Sequence, residues 1–151
     1  KGTYRTKPGY HHLFKKIIMH RGILKIAALL GALSVALGAF GAHALKKMVS
    51  ENAVATFETA VRYQFYHVFA LLVVALLYKE FVSKTLLYAA RFFMLGIILF
   101  SGSLYVLTFL QAAVVPGYKW VGAITPVGGL CFIAGWLLLF FAVWQRSRKN
   151  S

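Results

Sequence analysis

The chain has 151 residues, of which 60% are hydrophobic and 13% are charged. Soluble globular domains carry about 25% charged residues, so this composition excludes an ordinary soluble domain and indicates a membrane protein. The net charge of +14, from 17 basic and three acidic residues, raises the question of a nucleic-acid partner, and the distribution of the charges answers it.

Residues 1–18 are predicted to form a basic N-terminal arm. The segment holds five Lys or Arg residues and no acidic residue, and it lacks the long apolar core of a secretory signal. We expect the arm to lie along the membrane surface; docking onto a partner and removal by processing are the alternatives. Met19 stands just before the first apolar stretch and marks an alternative start of the protein.

Four apolar stretches follow, each long enough to cross about 30 Å of hydrocarbon as a helix of about 20 residues. The predicted spans are residues 23–45, 60–78, 86–112 and 120–144. They predict an all-α polytopic membrane protein, in which residues 19–145 form a four-helix transmembrane bundle and residues 146–151 a basic tail. The fourth span begins at Trp120 with a kink at Pro126, or its helix begins at Pro126 itself.

The basic residues are concentrated on one side of the membrane. If the four spans alternate in direction, thirteen Lys and Arg residues lie on the side of the termini and four on the other. Both termini are therefore expected on the cytoplasmic side of a bacterial inner membrane or, alternatively, on the matrix side of a mitochondrial inner membrane. Topology and attraction to anionic headgroups explain the excess charge, and no nucleic-acid partner is expected.

Small residues line one face of the first span, which allows helix backbones to approach closely inside a membrane. Two glycines of the fourth span are expected to do the same. The predicted packing residues are Gly31, Ser34, Gly38, Gly41, Ala42, Gly128 and Gly135.

Apolar residues recur every three or four positions between the first and second spans, from Leu45 to Ala60. The pattern predicts an interfacial amphipathic helix with Ser50 as its N-cap and Glu51 favourably placed in its first turn. We expect this helix to continue into the second span.

Polar residues of the second span fall within about half a turn of one another at 100° per residue. They are Glu58, Thr59, Arg62, Tyr63, Tyr66 and His67. Unsatisfied polar groups in hydrocarbon cost several kcal/mol, so this half of the helix is expected to face protein or water. Gln64 is the one polar residue on the apolar half, which is expected to face lipid.

Polar residues of other spans are expected to meet this half and form a pocket in the outer half of the bundle. Ionisable residues inside a membrane are functional candidates because burying them is costly. The candidate pocket residues are His43, Glu58, Arg62, Tyr63, His67, Tyr105 and Thr125.

Catalytic motifs are missing from the sequence. It has no Asp residue, and it has no paired-carboxylate, zinc-protease, phosphate-loop or serine-hydrolase motif. We therefore expect no enzymatic activity and no cofactor. A haem or metal ion held by His43 and His67 is the alternative, although neither histidine lies in a recognisable attachment motif. The lone Cys131 is expected to act as a small apolar residue in the fourth span.

Five sequence blocks, in order, resemble a known family. They are GAFGAH at 38–43, FETAVRYQFYH at 57–67, FSGSLY at 100–105, TPVGG at 125–129 and GW at 135–136. They are similar to the YgdD-like domain-of-unknown-function family, small four-span proteins of bacterial inner membranes with relatives in mitochondria. The likeness covers roughly residues 19–144, and the segment before Met19 departs from the family pattern. It implies a four-helix membrane bundle and transfers no established activity.

Short loops and abundant packing residues favour a protein that associates with others. We expect a non-enzymatic multi-pass membrane protein that serves as an accessory, scaffold or assembly component of a membrane complex. The alternative is a carrier or regulator of a small molecule, lipid or proton that uses the candidate pocket. The expected partners are the lipid bilayer and either other membrane-protein subunits or further copies of the chain.

Overall fold

A computed structural model describes residues 20–148 of the chain. The predicted N-terminal arm and the last three residues of the predicted tail lie outside this range. Within it, the chain forms helices and no strands. Four helical segments are long and apolar enough to cross a membrane: Arg21–Lys47, Glu51–Glu80, Lys84–Ala112 and Trp120–Arg148. The predicted all-α, four-span architecture is confirmed.

The first two spans are joined by a short connection. Helix α1 is Arg21–His43, a 3₁₀ turn follows at Leu45–Lys47, and helix α2 is Glu51–Glu80. Ser50 caps α2, because its hydroxyl accepts a hydrogen bond from the Ala53 N–H at 3.4 Å. The amphipathic helix predicted here is therefore the beginning of α2 and continues without a break into the second span.

The third span contains a local change of helix type. Helix α3 is Lys84–Gly96, a π-helical turn occupies Ile97–Ser101, and helix α4 is Gly102–Ala112. A π turn inserts one extra residue into an α-helix and shifts the side chains that follow. This shift sets the direction in which the side chains of α4 meet α2.

The fourth span begins with a 3₁₀ helix at Tyr118–Ala123 and continues as α5, Ile124–Arg148. Pro126 falls in the first turn of α5, where its missing N–H removes no intrahelical hydrogen bond. The α-helix thus begins close to Pro126, and the residues from Trp120 onward enter the span as 3₁₀ helix. Because α5 continues to Arg148, the predicted tail begins inside this helix.

Helix α2 lies at the centre of the described bundle. It packs against α1 on one side and against α3, the π turn and α4 on the other, while α3 and the π turn pack against α5. Phe93, Leu71 and Val74 are completely buried in the core between these helices. The residues on these two sides of α2 therefore determine which polar groups are buried inside the bundle and which lie at its surface.

Candidate functional site

Helix α2 turns a different face to the bundle from the one expected. Gln64, assigned to the lipid-facing half, is only 2% exposed, and two apolar residues that lie two turns away on the same face, Phe57 and Leu71, are buried as well. Glu58 and Arg62, assigned to the interior half, are exposed. The orientation of α2 is thus corrected by about half a turn.

The length of α2 explains how Glu58 and Arg62 can face outward. Thirty helical residues are about 45 Å long, against about 30 Å of hydrocarbon, so α2 extends about 7 Å beyond each boundary. Glu58 and Arg62 then lie only about 3 Å and 9 Å below the boundary at the α1–α2 end. Long charged side chains at such depths can extend to the headgroups, so they need no partner inside the bundle.

Gln64 forms the central polar contact of the bundle. Its amide nitrogen donates to the Leu30 carbonyl at 3.2 Å and to the Ser34 hydroxyl at 2.9 Å, both on α1. Its amide oxygen accepts a hydrogen bond from the Tyr105 hydroxyl of α4 at 3.1 Å. Ser34 in turn donates to the Leu30 carbonyl at 2.8 Å. One side chain therefore joins three spans, and both amide hydrogens and the amide oxygen are used.

His67 lies one turn further along α2, 5% exposed, with both ring nitrogens in hydrogen bonds. Nδ1 lies 2.7 Å from the Tyr63 carbonyl oxygen, and Nε2 lies 3.3 Å from the Trp136 indole nitrogen. A carbonyl only accepts and an indole N–H only donates, so Nδ1 carries the proton and Nε2 accepts. In this arrangement neither nitrogen offers a free lone pair to a metal ion or a haem iron.

Aromatic rings pack tightly around His67. Its imidazole is stacked on the Phe132 ring, with centroids 3.4 Å apart and planes 6° from parallel. The Phe132 ring also lies against Gly96, where an added Cβ would clash with the ring. Tyr63 stacks on Phe100 at 4.5 Å between centroids. These contacts fill the space in which an interior pocket was expected.

Other hydroxyl groups of the third and fourth spans also have hydrogen-bond partners in the interior. Ser103 donates to the Phe100 carbonyl at 2.9 Å, so the 2.8 Å contact with Thr125 is a hydrogen bond donated by the threonine. Thr108 donates to the Leu104 carbonyl at 2.9 Å. Ser101, in the π turn, is the exception: its hydroxyl is buried and has no hydrogen-bond partner within residues 20–148.

The seven candidate pocket residues are consequently not gathered in one place. His67, Tyr105 and Thr125 take part in three separate interior contacts, and Tyr63 is stacked at the edge of the bundle with 39% of its surface exposed. The other three residues face outward: His43, Glu58 and Arg62.

Glu58 and Arg62 do share a groove, which opens on the surface between α1 and α2 and has a volume of about 370 Å³. The groove is apolar except for this pair and Ser34. Its lining residues are Ser34, Val35, Gly38, Gly41, Phe57, Glu58, Val61, Arg62 and Phe65.

The expected packing residues contact α2 and the third span. An added Cβ would lie 3.5 Å from Val68 at Gly31, and 3.1 Å from Phe57 at Gly41. In the fourth span, it would lie 2.6 Å from the Phe93 ring at Gly135. Ala42, by contrast, is exposed.

Comparison with known proteins agrees with this architecture. A family model described as Protein of unknown function (DUF423) matches residues 37–129. The chain belongs to the DUF423 family. The matched region runs from the last turns of α1 to the first turn of α5, so it includes the groove charges, Gln64 and His67. With its four spans, this membership makes the chain a multi-pass membrane protein of the family.

The match to several named relatives extends over nearly the whole length of each relative. A UPF0382 membrane protein of Staphylococcus haemolyticus is 40% identical over 126 residues, which are 81% of this chain and 98% of the relative. The UPF0382 membrane protein YwdK of Bacillus subtilis is 39% identical over 124 residues, 79% and 96% of the two chains. The UPF0382 inner membrane protein YgdD of Escherichia coli is 37% identical over 130 residues, 86% and 95%. No solved structure matches the chain.

Sequence reasoning placed Ser34 among the packing residues and Gln64 on the lipid-facing half, and it missed the hydrogen bond between them that connects α1 to α2. A signal was present: Gln64 shares a helical face with Ala53, Phe57, Ala60 and Leu71, all buried. A polar residue on an otherwise small and apolar face of a central helix needs a partner across the interface.

Proposed function

We propose that this protein is a non-enzymatic accessory or assembly component of a membrane complex, and that it associates through the outward face of α1. The observation that carries the proposal is the peripheral position of α1. This helix packs against α2 and the short turn that follows α1, whereas α2 is surrounded by several elements.

The outward face of α1 carries a strip of alanines, flanked by larger exposed residues such as Leu29 and Val35. Along it, Ala28, Ala32, Ala36 and Ala39 are all exposed. Inside a membrane, small residues at four-residue spacing favour helix–helix contact, because they let backbones approach and gain dispersion energy that lipid chains do not supply. If this face contacted only lipid, alanines would give no more favourable dispersion energy than leucines would. A transmembrane helix of another subunit is the partner that fits this face.

The interior supports this role better than a carrier role. Apart from the Ser101 hydroxyl, the described polar groups that point into the bundle already have partners, and stacked rings fill the space around His67. A carrier of a polar solute requires a path with available hydrogen-bonding groups. His67 also cannot accept a proton at Nε2 while it accepts the indole N–H, which speaks against a role as general base.

For the location, we propose an inner membrane, bacterial or mitochondrial, with both chain ends on the side that carries most of the basic residues. The positive-inside distribution supports this orientation. The inner-membrane name of the Escherichia coli relative supports the location.

Site-specific photo-crosslinking in native membranes tests the proposal. A photoreactive amino acid at Ala32, on the exposed α1 face, is expected to give one discrete adduct with another membrane protein. The matched control is Leu130, 65% exposed on α5, which is expected to give no discrete protein adduct.

A second substitution links the adduct to the surface. Ala28→Trp blocks the alanine face one turn away and should abolish the Ala32 adduct while leaving the chain folded. Equal adducts from Ala32 and Leu130, or an adduct that contains only a second copy of the chain, would contradict an accessory role.

A further inference from the structure

We propose that the groove between α1 and α2 binds one phospholipid whose headgroup carries both a phosphate and a primary ammonium, with phosphate at Arg62 and ammonium at Glu58. This inference goes beyond the proposed function and depends on other residues than the α1 alanine face.

The groove has the shape and polarity of a lipid site. Its volume is about 370 Å³, and its walls are mostly apolar side chains and glycine, with the two charges on one wall. Gly38 has no side chain to fill the groove. A Cβ at this position would lie 3.7 Å from its nearest α2 atom, on Val61. Val35 and Phe65 extend the apolar wall and offer contact to an acyl chain.

The two charges have no partner among the described residues. Glu58 and Arg62 are both exposed, and neither has a hydrogen bond or ion pair with another residue in the range 20–148. Four positions along a helix correspond to about 6 Å, which is comparable with the separation of phosphate and ammonium across a two-carbon ethanolamine. A guanidinium binds phosphate oxygens in bidentate fashion, and a carboxylate accepts hydrogen bonds from a primary ammonium.

The order of the charges matches the order of the headgroup. Glu58 lies nearer the α1–α2 end of the bundle, and Arg62 lies about 6 Å deeper. In a leaflet that meets this end, the phosphate is attached to the glycerol backbone and the ammonium is the outer group. Arg62 therefore meets the deeper phosphate and Glu58 the outer ammonium. This argument holds for either orientation of the protein in the membrane.

A second copy of the chain fits the groove less well. Symmetric dimers in a membrane have a two-fold axis along the membrane normal, which sets identical residues opposite each other at one depth. Glu58 would then face Glu58 and Arg62 would face Arg62, and like charges close together are unfavourable. A zwitterionic lipid complements both charges at once.

Native mass spectrometry of the full chain, released from vesicles with equal parts of phosphatidylethanolamine, phosphatidylcholine and phosphatidylglycerol, tests the proposal. The wild-type chain is expected to retain one phosphatidylethanolamine. Arg62→Gln and Glu58→Gln should each lower this retention about tenfold, because each removes one charge-assisted contact. Lys46→Gln, at the same end but outside the groove, should retain the lipid as the wild type does.

Shape is tested separately from charge. Val35→Trp fills the groove from an exposed position, keeps both charges, and should also lower retention about tenfold. Thermal unfolding in each lipid shows that the variants fold, and phosphatidylethanolamine should raise the melting temperature of the wild type but not that of the variants.

Three outcomes would overturn the proposal. They are equal retention of the three lipids by the wild type, unchanged retention in Arg62→Gln and Glu58→Gln, and a disulfide between two copies carrying Val35→Cys. The first two outcomes concern only the groove and its charges and leave partner binding at the α1 alanine face untouched, so they distinguish failure of this inference from failure of the proposed function.

Discussion

The interface between the third and fourth spans and the interface between α1 and α2 both rely on glycine, but they use it in opposite ways. At the first, Gly128 meets the backbone of Phe100 so closely that an added Cβ would lie 2.7 Å from its Cα. At the second, an added Cβ at Gly31 or Gly38 would lie at ordinary contact distances, 3.5 Å from Val68 and 3.7 Å from Val61, and only Gly41 is tighter, at 3.1 Å from Phe57.

This difference in glycine packing indicates that the contact between the third and fourth spans stabilises the bundle, whereas the surface beside α1 and α2 is open to association. Gly96, Gly128 and Gly135 each lie directly against an aromatic ring or a backbone, so that part of the bundle is interlocked. Gly31 and Gly38 bring α1 near α2 without filling the space beside it, and a groove remains. The same sequence signal, a small residue at helical spacing, thus produces a sealed core in one place and an open surface in another.

The largest expected effect is at Gly128. Gly128→Ala forces a methyl group against the Phe100 backbone, which cannot rotate away as a side chain can, and should lower the free energy of unfolding by about 3 kcal/mol. Gly129→Ala is the matched control, because its nearest contact is a ring carbon at 3.9 Å, and it should change stability by less than about 1 kcal/mol. Unfolding in SDS titrations measures both; equal effects at the two positions would show that the interlock is absent.

At the interface between α1 and α2, the looser packing predicts that a glycine can be replaced by alanine at little cost in stability. Gly38→Ala should change the unfolding free energy by less than about 0.5 kcal/mol, since the added methyl group finds ordinary van der Waals space. A loss as large as that of Gly128→Ala would mean that α1 and α2 are as tightly packed as the third and fourth spans, and that the groove is closed.

A loss smaller than that of Gly128→Ala is expected at the Gln64 contacts. Gln64→Leu keeps the volume but removes the hydrogen bonds to α1 and α4, which should cost about 1–2 kcal/mol. Tyr105→Phe removes only one of them and should cost less. Tyr66→Phe, on an exposed ring, serves as control and should be neutral. A neutral Gln64→Leu would contradict the role of Gln64 in joining the spans.

The His67 contact predicts both a stability change and a spectroscopic one. Trp136→Phe removes the donor to Nε2 and should cost about 1 kcal/mol, while Trp144→Phe should not. Nitrogen NMR of the wild type should show the His67 proton on Nδ1. A proton on Nε2, or identical behaviour of the two tryptophan variants, would rule out the indole–imidazole hydrogen bond.

Two buried serines, Ser34 and Ser101, are expected to respond differently to substitution by alanine. Ser34→Ala breaks the hydrogen bond with Gln64 and should cost about 1 kcal/mol. Ser101→Ala removes a buried hydroxyl that has no partner in the described structure and should be neutral or stabilising by about 1 kcal/mol. A marked loss of stability in Ser101→Ala would indicate that this hydroxyl has a partner of its own.

Most of the fold could be predicted from the sequence, because the length and hydropathy of a transmembrane helix are set by the bilayer. The same holds for the Ser50 cap, which follows from a local preference. The orientation of α2 could not be predicted from polarity alone. Glu58 and Arg62 lie near enough to the headgroups to be solvated there, whereas Gln64, on the mostly apolar face, depends on partners from two other helices. The face on which Gln64 lies indicates that it needs a partner, but the local sequence does not show which residues of the other helices supply it.

Thiol cross-linking between α1 and α2 tests the orientation of α2 most directly. In a Cys131→Ala background, Ser34→Cys combined with Gln64→Cys should form an intramolecular link with a short bifunctional reagent, because the native side chains approach to 2.9 Å. Ser34→Cys combined with Tyr66→Cys should not, because Tyr66 points outward with 55% of its surface exposed. A link in the second pair and none in the first would contradict the account, since the polar half of α2 would then face the interior.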